Sequence, residues 1–342
     1  KAKMNEGFPV PDEIALRILD FLPQKDLVKL SQVNRYFCRI SRDDSFWTTI
    51  TMDAMTIMIH EDTVRRLFRR CSRLETAVIK DKYNYDTYGL PNRILSILAE
   101  AKSSLRNIQV AHTLLLWTPE DMKALGQMTG LKSINLTVAN VEQSHVLEHI
   151  SNLTGLEILE MRCCSFSLSS PGNIQSMNAV FEALKNLRYI DFSPIIAETL
   201  SCLVTNNNKL QNLSLHRRLV TDESLKQIVQ SCPDLQVLRI MNDSRALEIL
   251  SSCVNLRDLY LIGDNGCEEK FLTKLVENNK NLEKIVMTGG ESALVTEQGI
   301  QNMFTKANSM KTFRFGHNAP QLGDGAGDRL KKKFPGVEII IV

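Results

Sequence analysis

The feature that most constrains this chain of 342 residues is a short apolar phrase that recurs along most of its length. Each copy has an apolar residue, two variable residues, a second apolar residue, one variable residue and a third apolar residue. Eleven copies recur with a mean period of about 26 residues. Their first residues are Leu74, Leu105, Leu131, Leu156, Leu187, Leu210, Leu235, Leu256, Leu282, Met310 and Val337. This period predicts a solenoid, because one such unit cannot close a core alone.

The residues within each copy predict its local structure. Apolar residues in alternation indicate a short strand with one buried face. Thr221 and Thr296 each lie 14 residues before the next phrase and are followed by acidic residues, which is typical of a helix N-cap. Pro119 is suited to a first helical position in the same phase. The sequence therefore predicts an α/β solenoid over 71–342, with short parallel strands inside and helices outside.

Cysteines share the phase of the repeat. Cys71, Cys232 and Cys253 each precede the first leucine of their phrase by three residues, which indicates packing roles. The pattern resembles the cysteine-containing subfamily of leucine-rich-repeat proteins, which implies a horseshoe that binds other macromolecules. The eight cysteines form no C-x-x-C pair, so we interpret them as reduced thiols.

The segment before the array carries more apolar side chains than a small domain needs. Pro11 and Pro23 bracket a predicted helix, and two more short helices are predicted before Trp47. Ile14 and Ile18 lie on one stripe of the first helix, while Leu19 lies on another side. A domain of this size buries one face in its own core, so the second face is interpreted as a docking surface for another protein, with capping of the first repeat as the alternative.

This segment resembles an F-box, the adaptor-binding module of cullin-RING ubiquitin ligases. The residues that carry the resemblance are Pro11-Asp12-Glu13-Ile14, Ile18-Leu19, Leu22-Pro23, Asp26-Leu27, Leu30-Ser31, Val33-Asn34-Arg35-Tyr36-Phe37, Ile40, Asp44 and Phe46-Trp47. We therefore divide the chain into a flexible N-terminus at 1–7, a three-helix F-box at 8–48, linker or capping helices at 49–70 and leucine-rich repeats at 71–342.

The resemblance implies a Skp-type adaptor as direct partner, with cullin and RING subunits reached through it. The positions implied to contact the adaptor or support that contact are Val10, Pro11, Ile14, Ile18, Leu22, Leu27, Leu30 and Val33. The implied function is that of a substrate-recognition subunit that makes or breaks no bonds itself. A scaffold or inhibitor that acts outside the ligase is the alternative.

The middle residue of each predicted strand faces the concave side of a solenoid, where partners bind. Arg, Met and aromatic residues cluster there in the second half of the array, after an acidic stretch, and such residues are enriched at interface cores. The candidate positions for binding a protein substrate are Glu160, Asp191, His216, Arg239, Met241, Tyr260 and Ile262. We expect Arg239 and Tyr260 to anchor an acidic or phosphorylated segment, although an ordinary variable surface explains the pattern equally well.

Three motifs suggest other chemistry. The stretch "HVLEH" at 145–149 fits an inverted zinc-protease signature, with two histidines on one helix face, and makes a hydrolase a rival hypothesis. It falls where the repeat requires an outer helix and lacks a third ligand motif. "GDGAG" at 323–327 lacks the lysine and hydroxyl residues of a phosphate-binding loop. Basic clusters at 65–70 and 331–333 are typical of solvated helix faces. We expect no enzyme activity, metal or cofactor.

With nearly balanced charges, the molecule has no overall electrostatic field that would attract one class of partner. Lysine and arginine number 41 against 39 aspartates and glutamates, so neither nucleic acid nor an anionic membrane is expected as a partner. We found no apolar run long enough to span a bilayer and no signal peptide. A cytoplasmic or nuclear location is expected.

Overall fold

The computed structural model describes most of the chain in separate ranges. These are residues 10–53, 61–80, 94–100, 104–111, 119–136, 144–161, 171–192, 195–215, 220–241, 247–263, 268–288, 295–316, 322–323 and 325–341.

One parallel sheet runs through the molecule. Within the described ranges it has twelve strands, which follow chain order so that each strand pairs only with its neighbours in sequence. The strands are β1 (Thr49–Asp53), β2 (Thr76–Lys80), β3 (Asn107–Ala111), β4 (Ser133–Leu136), β5 (Ile158–Met161), β6 (Tyr189–Phe192), β7 (Asn212–Leu215), β8 (Val237–Met241), β9 (Asp258–Ile262), β10 (Lys284–Thr288), β11 (Thr312–Phe315) and β12 (Glu338–Ile341). The predicted leucine-rich-repeat solenoid is confirmed.

The second and third apolar residues of the first ten phrases build the core. The last phrase was predicted one residue too late, because Ile339, rather than Ile340, pairs with Phe313 and is buried. Leu213, Leu238 and Leu259 stand in register on adjacent strands, and each is 0 % exposed. This stacking continues along the sheet, so the array has one continuous core rather than separate ones. Because the buried apolar residues set the register of the strands, a shift of one residue would turn these side chains away from the helices.

The connections between strands form the outer layer. In the described ranges the helices are α1 (Asp12–Leu19), α2 (Gln24–Leu30), α3 (Arg35–Ile40), α4 (Glu61–Arg70), α5 (Ile94–Glu100), α6 (Pro119–Gly126), α7 (Pro171–Ala183), α8 (Ala197–Asn206), α9 (Asp222–Ser231), α10 (Glu269–Asn278), α11 (Glu297–Lys306) and α12 (Ala326–Lys333). Three 3-10 helices are Asp44–Trp47, Ser144–Asn152 and Leu247–Ser252. None of the described helices is long and apolar enough to cross a membrane.

The predicted helix starts are confirmed at three repeats. The hydroxyl of Thr221 accepts a hydrogen bond from the backbone N–H of Ser224, and the hydroxyl of Thr296 accepts one from that of Gly299. Helix α6 begins at Pro119. Each threonine thus satisfies an amide that the first helical turn leaves without a partner.

The position three residues before the first leucine of a phrase is buried. Cys71, Cys232 and Cys253 are 2–7 % exposed, which confirms them as packing residues. Asparagine occupies the same position at Asn207 and Asn279, which are also buried. The amide of Asn279 accepts a hydrogen bond from the Leu256 N–H of the preceding repeat and donates one to the Leu275 carbonyl. Adjacent repeats are therefore joined by polar contacts as well as by the apolar core.

The segment at 49–70 differs from the predicted linker or capping helices. Its first residues form β1, which pairs in parallel with β2, and only Glu61–Arg70 is helical. Trp47, Ile50 and Met52 occupy the three apolar positions of the phrase, with tryptophan where the other copies have an aliphatic residue. The array therefore begins one strand earlier than the eleven copies counted in the sequence.

Trp47 also belongs to the N-terminal helices. It packs against both the small core of the first three helices and the core of the repeats. Its indole N–H donates a hydrogen bond of 2.9 Å to the Ser41 carbonyl. The Gln24 amide in α2 donates to the carbonyls of Phe46 and Thr49. The helical segment is thus joined to the first strand by packing and by hydrogen bonds.

Candidate functional site

The first candidate site is the surface of the N-terminal helices. Their core consists of Ala15, Leu19, Leu27, Ile40 and Phe46, all buried. An exposed ion pair ties α1 to α3, because the Arg39 guanidinium donates to both carboxylate oxygens of Asp12 at 2.7 and 3.1 Å. Hydrogen bonding from Arg39 lowers the pKa of Asp12. These contacts fix the helices against one another with one side of α1 turned outward.

Large apolar side chains remain exposed on this segment, and we call them the N-terminal apolar surface. Its members are Ile14, Ile18, Phe21, Leu22, Val28 and Val33. Phe21 is 89 % exposed and Val33 is 65 % exposed. Isolated surface hydrophobes are common, but six within twenty residues of one small segment indicate a surface that another molecule covers.

The adaptor-contact residues predicted from the sequence divide into two groups. Ile14, Ile18, Leu22 and Val33 belong to the N-terminal apolar surface, and Pro11 is exposed at the start of α1. Leu27 is buried, and Val10 and Leu30 are half-buried against the same core. These three residues therefore support the exposed contact residues by packing beneath them.

Phe21 and Val28 were missed by the sequence interpretation. Phe21 follows Ile14 and Ile18 at spacings of seven and three residues, so the helical period could have placed it on their face. Val28 follows the buried Leu27 directly and therefore points away from the core.

The second candidate site lies on the open strand face, the side of the sheet that the outer helices do not cover. Arg239 in β8 and Tyr260 in β9 are partners in register, and the Arg239 guanidinium lies 4.4 Å from the centre of the Tyr260 ring. The ammonium of Lys284 in β10 lies 5.3 Å from the same ring. All three side chains are half-buried. We call Arg239, Tyr260 and Lys284 the cationic cluster.

An acidic region borders this cluster on the preceding strands. Glu160 is half-buried and accepts a hydrogen bond from the Asn135 amide. Burial and the nearby Glu160 carboxylate raise the pKa of Tyr189, which keeps its phenol neutral at physiological pH. The open strand face therefore changes from acidic to basic along the array.

The remaining predicted substrate positions differ in exposure. Met241 and Ile262 pair in register and are half-buried beside the cationic cluster. Asp191 is only 1 % exposed, in contrast to the exposed position expected from the strand pattern. The alternation predicts which way a side chain points and not what covers it, so this burial could not be read from the sequence. His216 lies outside the described residues.

The "HVLEH" stretch does not form the helix geometry that the protease signature requires. Residues Ser144–Asn152 adopt a 3-10 helix, in which residues four apart do not share a face, unlike in the α-helix that the signature needs. Glu148 is exposed and accepts a hydrogen bond of 2.7 Å from Ser176. The side chain of His145 lies outside the described residues. Among the described side chains, no group of three or more His, Cys, Asp or Glu could hold a metal ion.

Comparison with known proteins identifies the N-terminal segment. Residues 10–53 match the family model described as F-box-like, which confirms the resemblance given by the sequence motifs. The match includes every member of the N-terminal apolar surface and ends with the last residue of β1. No curated protein sequence matches the chain.

Two solved structures are similar to the chain. A leucine-rich-repeat protein of Leptospira interrogans is 16 % identical, with a TM-score of 0.45 over 80 % of this chain and 68 % of that one. A chain of the yeast Rad7 and Elc1 complex is 12 % identical, with a TM-score of 0.47 over 96 % of this chain and 92 % of that one. The repeat architecture of the present chain is established by its own sheet.

Proposed function

We propose that this protein is the substrate-recognition subunit of an Skp-cullin-F-box ubiquitin ligase. The N-terminal apolar surface docks on a Skp-type adaptor, and cullin and RING subunits are reached through that adaptor. The observation that carries the proposal is an unburied apolar surface on the very segment that matches the F-box-like family. A location in the cytoplasm or nucleus is part of the same proposal.

Burial of this surface would contribute favourable free energy to a complex. Complete burial of a Leu, Ile, Val or Phe side chain is worth roughly 1.5–3 kcal/mol. Phe21 and Val33 are the most exposed members, so they have the most surface left to bury. Interfaces of this kind are dominated by a few apolar anchors, and the supporting core residues keep those anchors in place.

The repeat array contributes position rather than chemistry. In the proposed mechanism it holds a protein target near a ubiquitin-conjugating enzyme, which raises the effective concentration of the target's lysines. The protein itself is proposed to be non-catalytic.

The adaptor contact can be tested with charge substitutions on the exposed face of α1. Ile14→Asp with Ile18→Asp should weaken binding to a purified Skp-type adaptor by roughly 100-fold or more, because two carboxylates would be buried without partners. Val254→Asp is the control, since Val254 is an exposed β-branched residue on the repeats, 57 % exposed against 43 % for Ile14 and 48 % for Ile18. Equal adaptor affinity for the wild type and the double variant would refute the docking surface.

Cullin co-purification separates the ligase from the alternative role. Wild-type protein should recover adaptor and cullin together, and the double variant should recover neither. Recovery of the adaptor without cullin, and without ubiquitination of bound proteins, would instead support a scaffold or inhibitor outside the ligase.

We further propose that the cationic cluster anchors an acidic or phosphorylated segment of the target. Arginine stacked on a tyrosine ring keeps its guanidinium edge free to donate to a carboxylate or phosphate, and Lys284 adds a second positive charge. The carboxylate of Glu160 repels negative charge, so it disfavours any binding position that places an anionic segment over it.

This target surface can be tested with matched peptide arrays in serine, phosphoserine and aspartate versions. Arg239→Ala with Tyr260→Ala should abolish the signals that depend on negative charge while adaptor binding persists. Arg257→Ala is the control, because this exposed arginine lies just before β9 and pairs with Glu283. Unchanged peptide binding by the double variant would refute this role.

A further inference from the structure

A cavity of about 250 Å³ lies at the joint between the F-box segment and the first repeat. Its apolar lining is formed by Leu27 from α2, Trp47 from the 3-10 helix and Leu67 from α4, together with Val28 of the N-terminal apolar surface. The cavity is therefore walled by both parts of the molecule. It is separate from the cationic cluster and lies at the opposite end of the array from β12.

The polar residues of the cavity point to an unfilled hydrogen-bonding requirement. Ser41 lines the cavity and is 2 % exposed, and among the described residues its hydroxyl has no hydrogen-bond partner. A buried hydroxyl without a partner is costly, so native proteins seldom keep one unless water or a ligand satisfies it.

The charges at the rim favour an anion. Arg42 and Arg70 both line the cavity and are exposed at its mouth. Asp44 also lines it, but its carboxylate already accepts a hydrogen bond from Ser72. Two guanidinium groups against one engaged carboxylate leave a net positive rim above an apolar floor.

The buried thiol of the cavity does not suggest covalent chemistry. Cys71 lines the same cavity, and burial raises the pKa of its thiol to about 11. It therefore stays protonated and weakly nucleophilic near neutral pH.

We propose that this cavity binds a small organic acid, with an apolar body against Leu27, Trp47 and Leu67 and a carboxylate or phosphate directed to Arg42 and Arg70. The Ser41 hydroxyl donates to the ligand. A volume slightly below the 300–1,000 Å³ of ordinary ligand pockets selects a compact ligand with a single ring or a short chain. Because both parts of the molecule line the cavity, the ligand stiffens the joint between the docking segment and the repeats.

The test uses the full chain and four probes that share a phenylalkyl body and differ in head group. These are 3-phenylpropionate, 2-phenylethyl phosphate, 3-phenylpropanol and 3-phenylpropylamine, titrated by protein-observed NMR. The acids should bind with dissociation constants on the order of a millimolar, about tenfold more tightly than the alcohol, and the amine should not bind. The better of the two acids identifies the head group as carboxylate or phosphate. Tightest binding by the amine, equal binding by all four probes, or binding by none would overturn the proposal.

Variants locate the binding site. Arg42→Met with Arg70→Met should weaken acid binding about tenfold or more, while Arg66→Met, on the same helix but outside the cavity, should leave it unchanged. Ser41→Ala should weaken acid binding and yet leave the ligand-free protein equally or more stable, because the unpartnered hydroxyl is removed. Full acid affinity in both cavity variants would place the ligand elsewhere and refute the site.

Discussion

At the scale of single residues, one position of the repeat accepts two different chemical solutions. Cys253 fills it by packing and Cys232 by packing with a long S–H contact of 4.0 Å to the Asn207 backbone carbonyl, whereas Asn207 and Asn279 fill it with amides that bridge to the preceding repeat. The Asn207 carbonyl oxygen accepts from the Leu187 N–H, in the same way that Asn279 serves Leu256. Each asparagine thus satisfies a backbone amide that would otherwise be buried without a partner.

Replacing one of these asparagines should lower the stability of the folded protein. Asn279→Ala leaves the Leu256 N–H without its acceptor, while the Leu275 carbonyl keeps the backbone N–H of residue 279. We expect the free energy of unfolding in urea to fall by about 2 kcal/mol. Asn281→Ala, an exposed asparagine two residues away, should change it by less than about 0.5 kcal/mol. Similar losses for both variants would contradict the bridging role.

The cysteines at this position should not react with alkylating agents in the folded protein. Burial raises the pKa of Cys232 and Cys253 to about 12. Iodoacetamide at pH 8 should therefore leave both thiols unmodified in the native protein and alkylate them in urea, as measured by peptide mass spectrometry. Rapid native labelling would show that these thiols are accessible.

The same shifts set the direction of a pH dependence. An unfolded thiol loses its proton from about pH 9, while the folded one keeps it until about pH 12. Between these values the folded state holds more protons, so the free energy of unfolding should decline as the pH rises through this window.

At the scale of elements, the strands are uniform and the connections vary. The shortest spacing between phrases, 21 residues from Leu235 to Leu256, has a 3-10 helix of six residues as its outer element. The spacing of 31 residues from Leu156 to Leu187 carries α7, which has thirteen. Differences in repeat length are therefore absorbed on the outer side, where they do not disturb the strand register.

The capping threonines should stabilise the outer helices measurably. Thr221→Ala removes the acceptor for the Ser224 N–H and should lower the free energy of unfolding by about 1 kcal/mol. Thr221→Ser keeps a hydroxyl and should retain most of that stability. Chemical denaturation of both variants checks the expectation, and an equal loss in both would show that the methyl group, not the cap, matters.

Elements with a strong local signal could be predicted from the sequence, and those that depend on distant contacts could not. The strands follow from alternating apolar residues, and α9 and α11 follow from Thr221 and Thr296. The first strand was missed because Trp47 replaces the leucine of the phrase. Within the cationic cluster, Arg239 and Tyr260 were predicted from their strand positions. The approach of Lys284 to that ring depends on a diagonal contact that no single strand encodes.

At the scale of the whole molecule, Trp47 joins two cores that the domain division of the sequence kept apart. Its side chain packs against the buried residues of the helices and against those of the repeats. The Ser72 hydroxyl also donates to Asp44, which adds a polar contact across the same joint. The F-box segment is consequently continuous with the array rather than attached through a linker.

Loss of this tryptophan should therefore loosen both sides of the joint. Trp47→Ala should reduce hydrogen-exchange protection in α1–α3 and in β1–β2, with a stability loss of about 3 kcal/mol. Strands β8 and β9 should keep their protection, because each repeat contacts only its neighbours. Phe313→Ala, a buried substitution in β11, should instead reduce protection in β10–β12 and leave α1–α3 and β1–β2 protected. Loss confined to one side of the joint would contradict the shared packing.

The unbroken strand order fixes the distance between any two strands along the sheet. Adjacent strands lie about 4.8 Å apart, so the seven steps from β1 to β8 correspond to about 34 Å along the sheet. A target held at Arg239 and Tyr260 would then be presented at a set distance from the docking segment, with no slack in between. Removing one repeat from the middle of the array would shorten that distance by one strand spacing, about 5 Å, and would also rotate the bound target. In the proposed mechanism, the number of repeats, rather than any single side chain, would decide which part of a bound target comes within reach.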